Sequence, residues 1–229
     1  IGLDGLRAEG RAGQLAVQPT DYGYRYTNSR LLGDTERNYV RGYHYVLPHI
    51  QIRAAQLLDN GDWWKFKIAG HHWVPIDDHS TMVWNWFYSL DEALTESEKN
   101  EDISGNGPQY VDPVTFRSAV NPRNNWLIDR DMQRRENFTG IQGVNAQDRA
   151  VQEAMGPIVD RSKEHLGQTD RAVIMMRRLL LRAIETIRDG GTPPGLGDSY
   201  YGLRAIEDVI PAEELGLDAL AERMYVGAR

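Results

Sequence analysis

The hydrophobic pattern of this chain changes period once along its length, and that change restricts the fold more than any single motif does. Over residues 20–90 apolar and aromatic side chains alternate with polar ones; from Asn145 onward they recur at threes and fours. TDYGYRYTN sets Tyr22, Tyr24 and Tyr26 on one side of a strand. YVRGYHYVLPHIQIRA, WWKFKIAGHHWVPI and TMVWNWFYS continue the β-branched and aromatic enrichment. Gly33-Asp34, Asp59-Asn60-Gly61 and Asp77-Asp78 supply turns between these runs. The first half therefore reads as an antiparallel meander.

Residues 91–125 are polar and rich in Asn, Gly, Pro and acid, and are expected to form a long surface excursion. Helical spacing then predicts three helices: residues 145–155 with Asn145 as N-cap, residues 157–166, and a long helix of about 20 residues opened by Thr169 and Asp170. The long helix places Val173, Met176, Leu180, Ile184 and Ile187 on one stripe, and Gly190, Gly191 and Pro193-Pro194 end it. Residues 195–229 read as a mixed tail with a short acidic helix near residues 211–225. Strands followed by helices give an α+β class, a sheet with helices on one side, and a single domain over 1–229.

Composition narrows the function. The 229 residues carry a net charge of -7, and the 26 Lys and Arg are scattered, so the electrostatic footprint of a nucleic-acid binder is missing. No apolar run is long enough to span a bilayer, and a cytoplasmic location is expected, with no membrane partner. Zero cysteines excludes thiol catalysis and thiolate metal sites within these residues. The opening IGLDGLRAEG has no Met and no signal-peptide pattern, so the sequence is expected to be part of a longer polypeptide.

Three groups could carry chemistry. GHHWVPIDDHST gathers His71, His72, Asp77, Asp78 and His79, metal-ligand types in nine residues, but adjacent strand residues face opposite ways and Asp-Asp suits a turn. His44 and His49 are five apart with Pro48 between, so one is expected inward and one outward. Asp148 is the third, since counting by threes and fours puts it on a stripe with Val144, Val151 and Met155. A carboxylate there is either an N3 cap for a helix starting at Asn145 or a ligand to something positive. Arg25, Arg53 and Trp84 are candidates for a substrate pocket, the arginines as partners for an anionic ligand.

TDYGYRY, GHHWVPIDD, NNWLIDRDMQRRENFTGIQGVNAQDRAVQEAMGPIVDRSKEHLG and TDRAVIMMRRLLL, in that order, resemble the C-terminal catalytic part of Rieske non-haem iron oxygenase α subunits of the phthalate 4,5-dioxygenase type. The resemblance runs over residues 20–187. It implies a helix-grip (Bet v 1-like) domain, a curved antiparallel sheet packed against a long C-terminal helix. It implies a mononuclear Fe(II) held by two histidines and one carboxylate, the carboxylate carried onto AQDRAVQE being Asp148. The family's D-x2-H-x4-H histidine segment has no counterpart before Thr20, and the two cysteines of a Rieske [2Fe-2S] cluster are absent. Both are expected upstream.

On this resemblance the full-length protein hydroxylates or oxidatively dealkylates a small aromatic acid with O2 and electrons from NAD(P)H through a reductase. It would assemble as a homotrimer or a pair of trimers. These residues alone are expected to be inactive. The alternatives are a non-catalytic helix-grip pocket for an apolar or aromatic ligand, and a zinc hydrolase built on His71, His72 and His79.

Overall fold

The computed structural model describes residues 13–33, 36–55, 67–90, 92–100, 104–214 and 217–225. They fall into two compact units. One comprises the described parts of Ile1–Ile76, Thr81–Glu92 and His165–Arg229; the other comprises Asp77–Ser80 and Ala93–Glu164.

The first unit is an antiparallel sheet with seven strands among the described residues: β1 (Gln14–Pro19), β2 (Gly23–Leu31), β3 (Arg37–Val46), β4 (Ile50–Ala55), β5 (Lys67–Pro75), β6 (Thr81–Ser89) and β7 (Ile206–Pro211). The first six pair in chain order, as a meander should. β7 pairs with the first part of β3, Asn38 opposite Ile210 and Gly42 opposite Ile206, while β4 takes the rest of the same edge. The sheet is curved and unclosed, and with the helix that crosses it forms the α+β helix-grip arrangement.

That helix is α3 (Arg171–Arg188); among the described residues α1 (Arg130–Arg135) and α2 (Val144–Glu153) precede it, and α4 (Leu217–Ala221) follows. Ala172, Met175, Met176, Leu179 and Leu180 of α3 pack on Tyr24, Tyr45, Leu47, Val17 and Trp73. The expected stripe is turned by about one residue, for Val173, Ile184 and Ile187 are exposed. The run IMMRRLLLRAI makes the apolar arc too wide for spacing to choose its azimuth. The sheet chooses it.

The opposite sheet face buries Val46, Ile52, Ala54 and Ile68 against Tyr22, Leu203 and Ala205. Val46, Ile52, Ile68 and Leu203 contribute roughly 1.5–3 kcal/mol each. Tyr22 belongs here rather than beside Tyr24 and Tyr26. Gly23 has φ +150°, and a Cβ there would lie 2.3 Å from the Tyr45 carbonyl oxygen. Only glycine fits, and the irregular backbone breaks the alternation one residue after Tyr22.

Three further expectations change. Residues 157–166 are not a helix: Gly156 has φ +88°, and only a 3-10 turn, Arg161–Lys163, forms, with Asp160 accepting from the Ser162 amide. A 3-10 turn, Gln168–Asp170, precedes α3, and Asp170 rather than Thr169 is the N-cap. The C-terminal segment supplies β7, α4 and the fully buried Met224, so it completes the sheet rather than trailing from it.

Candidate functional site

Register fixes which side chains share the face that α3 covers. Tyr26 opposes Tyr43, Tyr43 opposes Arg53, Arg53 opposes Ala69, and Ala69 opposes Phe87. Tyr24, Tyr26, Tyr43, Tyr45, Gln51, Arg53, His71 and Trp73 therefore project to one side. The tyrosines stack in pairs, Tyr26 on Tyr43 at 4.6 Å and Tyr24 on Tyr45 at 5.2 Å between ring centroids. Gln51 Nε2 donates to the Tyr26 hydroxyl at 2.5 Å, which leaves the phenolic proton of Tyr26 available to an acceptor. Burial raises the pKa of Tyr24 and Tyr26, and pushes Tyr45 up to about 12, so all three stay protonated at neutral pH.

Arg41 joins this face through the same parity. Its guanidinium lies 5.3 Å from the Tyr43 ring centre, donates to the Ala54 carbonyl at 3.0 Å, and pairs with buried Glu207 at 3.5 Å. The Tyr39 hydroxyl donates to Glu207 as well. Asn28, Arg30, Tyr39, Arg41 and Tyr43 line a cavity of about 210 Å³. A larger one, about 570 Å³, opens beside Thr27, Ser29, Thr169 and Leu220, but its lining has no aromatic ring. The tyrosine face is the better seat for a planar ligand.

Of the three predicted pocket residues, only Arg53 is on this face. Arg25 opposes His44 and donates through Nε to Gln18 at 2.7 Å, and Trp84 opposes His72 and is largely exposed; both belong to the other face. Tyr43 shares parity with Asn85 and Phe87 of β6, whereas Trp84 and Trp86 project from the other face.

The histidines separate as strand alternation requires. His71 Nδ1 lies 2.6 Å from Asn85 Oδ1 and the ring rests by Trp73; His72 instead neighbours His49 and Trp86. His44 is fully buried between the Tyr22 hydroxyl, 2.7 Å, and the Arg204 carbonyl, 3.1 Å, and burial lowers its pKa to about 4. His49 is half-buried beyond it. Among the described residues, no group of three or more His, Asp or Glu could hold a metal ion, so a zinc site on His71, His72 and His79 does not assemble there.

Asp148 lies in the second unit, on α2. The helix starts at Val144 with Gly143 as N-cap and no side-chain cap, so Asp148 is at the fifth helical position and the capping role fails. Ala146 and Ala150 are the buried residues, packed with Ile141, Tyr110, Trp126 and Ile128. Asp148 is exposed, and so are Val144, Val151 and Met155, each by more than half. The apolar stripe read from the sequence is thus the open side of the helix. Asp148 thus shares the exposed side of the helix with Val144, Val151 and Met155.

A protein-family model, the LigXa C-terminal domain like family, matches residues 7–215. The chain belongs to this LigXa C-terminal domain-like family. The 3-chlorobenzoate-3,4-dioxygenase oxygenase subunit of Comamonas testosteroni is 31% identical over 85% of the chain and 47% of its own length. The phthalate 4,5-dioxygenase oxygenase subunit of Pseudomonas putida is 31% identical over 82% of the chain and 42% of its length. The 5,5'-dehydrodivanillate O-demethylase oxygenase subunit of a Sphingobium species is 27% identical over 92% and 41%. The chain spans about half the length, or a little less, of the curated relatives it matches. All three are oxygenase subunits, and a non-catalytic binding domain is not favoured.

Within this LigXa-type domain, sequence reasoning missed Arg41, Gln51 as the partner of Tyr26, and Glu207. Parity counting from Tyr43 would have found Arg41; Gln51 shares a face with Arg53 as strand alternation implies, but its bond to Tyr26 depends on register between strands. Glu207 gave no signal, because the strand that carries it pairs with β3, far earlier in the chain, Glu207 opposite Arg41. Among the described residues no helix is long and apolar enough to cross a membrane.

Proposed function

We propose that the chain is the catalytic portion of an iron-dependent oxygenase subunit acting on a small aromatic acid, by hydroxylation or oxidative dealkylation. What supports the reading most is the family match together with three relatives named as oxygenase subunits for 3-chlorobenzoate, phthalate and 5,5'-dehydrodivanillate. Asp148 fits as one iron donor: it is a carboxylate on the exposed side of a helix whose other side is packed. The two imidazoles are assigned by family resemblance to the longer polypeptide, as is a Rieske [2Fe-2S] cluster fed by a reductase from NAD(P)H. A homotrimer or trimer pair follows from the same resemblance. When bound, the ferrous ion supplies the dioxygen chemistry.

The residues of this chain bind and orient. The stacked tyrosines offer flat walls to an aromatic ring, and α3 packs Met176 and Leu180 against the Tyr24, Tyr45 and Leu47 part of that face. Arg53 is proposed to take the substrate carboxylate, a charge-assisted contact made stronger in a dry site. The Tyr26 hydroxyl, already accepting from Gln51, is proposed to donate its proton to a substrate oxygen. Arg25 and Trp84 are left out of this proposal, since they lie on the opposite face.

The test is turnover of aromatic carboxylates by the full-length subunit with its reductase, following oxygen from labelled O2 into product. Asp148→Ala is expected to abolish product, and Arg53→Gln to raise KM for acids roughly ten- to hundred-fold, the range of a lost charged hydrogen bond. Labelled product from Asp148→Ala at the parent rate contradicts the proposal.

A further inference from the structure

α2 has little of its own to fix its rotation. It is ten residues long, its N-cap is a glycine with no side-chain hydrogen bond, and its only buried residues are two alanines, which tolerate rotation because they are small. Yet the face it presents matters, because one residue of rotation is about 100° and would turn Asp148 from the open side toward the packed one. Something larger than Ala146 and Ala150 must hold the azimuth.

Arg149 does so. Its half-buried guanidinium donates through Nη2 to the Gly105 carbonyl at 2.5 Å and through Nη1 to Asn106 Oδ1 at 2.9 Å, a two-point clasp to a loop 44 and 43 residues earlier in the chain. The loop lies close against the helix. Gly105 adopts φ +78°, and a Cβ on it would lie 2.8 Å from the Ala146 Cβ. Burial draws the Arg149 guanidinium below its usual pKa, and the carboxylates of Glu153 and Asp148 act the other way. On the same helix, Trp126 Nε1 donates to Glu153 at 3.2 Å, a weaker second tether.

We propose that Arg149 is a positioning residue for the metal centre: its clasp on Gly105 and Asn106 fixes the rotation of α2 so that the adjacent Asp148 carboxylate meets the iron. The inference rests on the reading of Asp148 as an iron ligand. A planar fork with fixed donor spacing is suited to the task, whereas a lysine reaches one acceptor at a time. Arg149 touches neither iron nor substrate in this account.

The experiment measures ferrous iron affinity of the full-length subunit under anaerobic conditions and the EPR spectrum of its nitric oxide adduct, which reports ligand geometry, alongside circular dichroism. Arg149→Lys is expected to keep the fold, to weaken iron binding ten- to hundred-fold as loss of a ligand-orienting contact does, and to change the rhombicity of the spectrum. Asn106→Ala, which leaves the Gly105 contact, is expected to do the same to a smaller degree, and it decides the matter if Arg149→Lys does not fold. Parent affinity and spectrum in the folded variants, with Asp148→Asn losing iron, overturn the positioning role alone. Iron retained by Asp148→Asn instead overturns the underlying ligand assignment.

Discussion

The two units hold themselves together by different means. In the sheet unit, alternation buries continuous apolar clusters on one face and stacked tyrosines under α3 on the other. Among the described residues the second unit has one small cluster, Ile141, Ala146 and Ala150, and is otherwise organised by side chains that grip backbone: Asp112, Asn121, Asp129 and Asn137 each accept from two or more groups close by in sequence or cap a turn. Burial makes the first a stiff wall suited to orienting a ring. Local polar clasps make the second exact in its geometry but sparing in its stability, and the carboxylate proposed for iron sits there.

The contrast breaks first if core truncation spares the sheet. Ile68→Ala, at a site 1% exposed, is expected to cost about 2–5 kcal/mol in urea unfolding, and hydrogen exchange should show that loss in β4, β5 and β6. Uniform loss in both units would mean that they share one cooperative core.

Acid should act on the sheet unit through His44. Its folded pKa, about 4, lies below the ordinary 6.5, so as pH falls the unfolded chain takes up the proton first. Stability is full above pH 6.5, declines between about 6.5 and 4, and gains no further loss from this group below 4. The drop is about 3 kcal/mol, and His44→Gln should remove that part of the slope. A pH dependence identical in the variant contradicts this account.

The sequence disclosed the meander, the long helix and the family because all rest on local pattern. β6 runs from Thr81 to Ser89 as its residues imply, and His71 and His72 part as alternation demands. What it hid depended on partners far along the chain or on one unusual backbone angle. Tyr22 changes face because of Gly23; β7 joins β3 from the tail; Arg25 and Arg53 look alike as strand arginines until register sends them to opposite faces. Asp148 stood out by its place on the stripe with Val144, Val151 and Met155; of its two readings the cap fails because the N-cap is Gly143, two residues before Asn145.

Smaller effects sharpen the comparison. Asp129 accepts from the amides of Asp131 and Met132 at the start of α1, so Asp129→Ala should cost about 1 kcal/mol and speed exchange over residues 130–135 without touching β3. Lys99→Ala removes an exposed pair with Glu96 and should change stability by less than about 0.5 kcal/mol in either unit. A larger loss would show that the second unit relies on surface charge as well as on backbone clasps.

The measurement closest to the central claim is the iron content of the full-length subunit carrying Asp148→Ala, determined by elemental analysis beside the parent protein, with circular dichroism to confirm the fold. The account predicts a folded protein with its mononuclear iron lost and any Rieske iron retained. A full complement of iron in Asp148→Ala contradicts it.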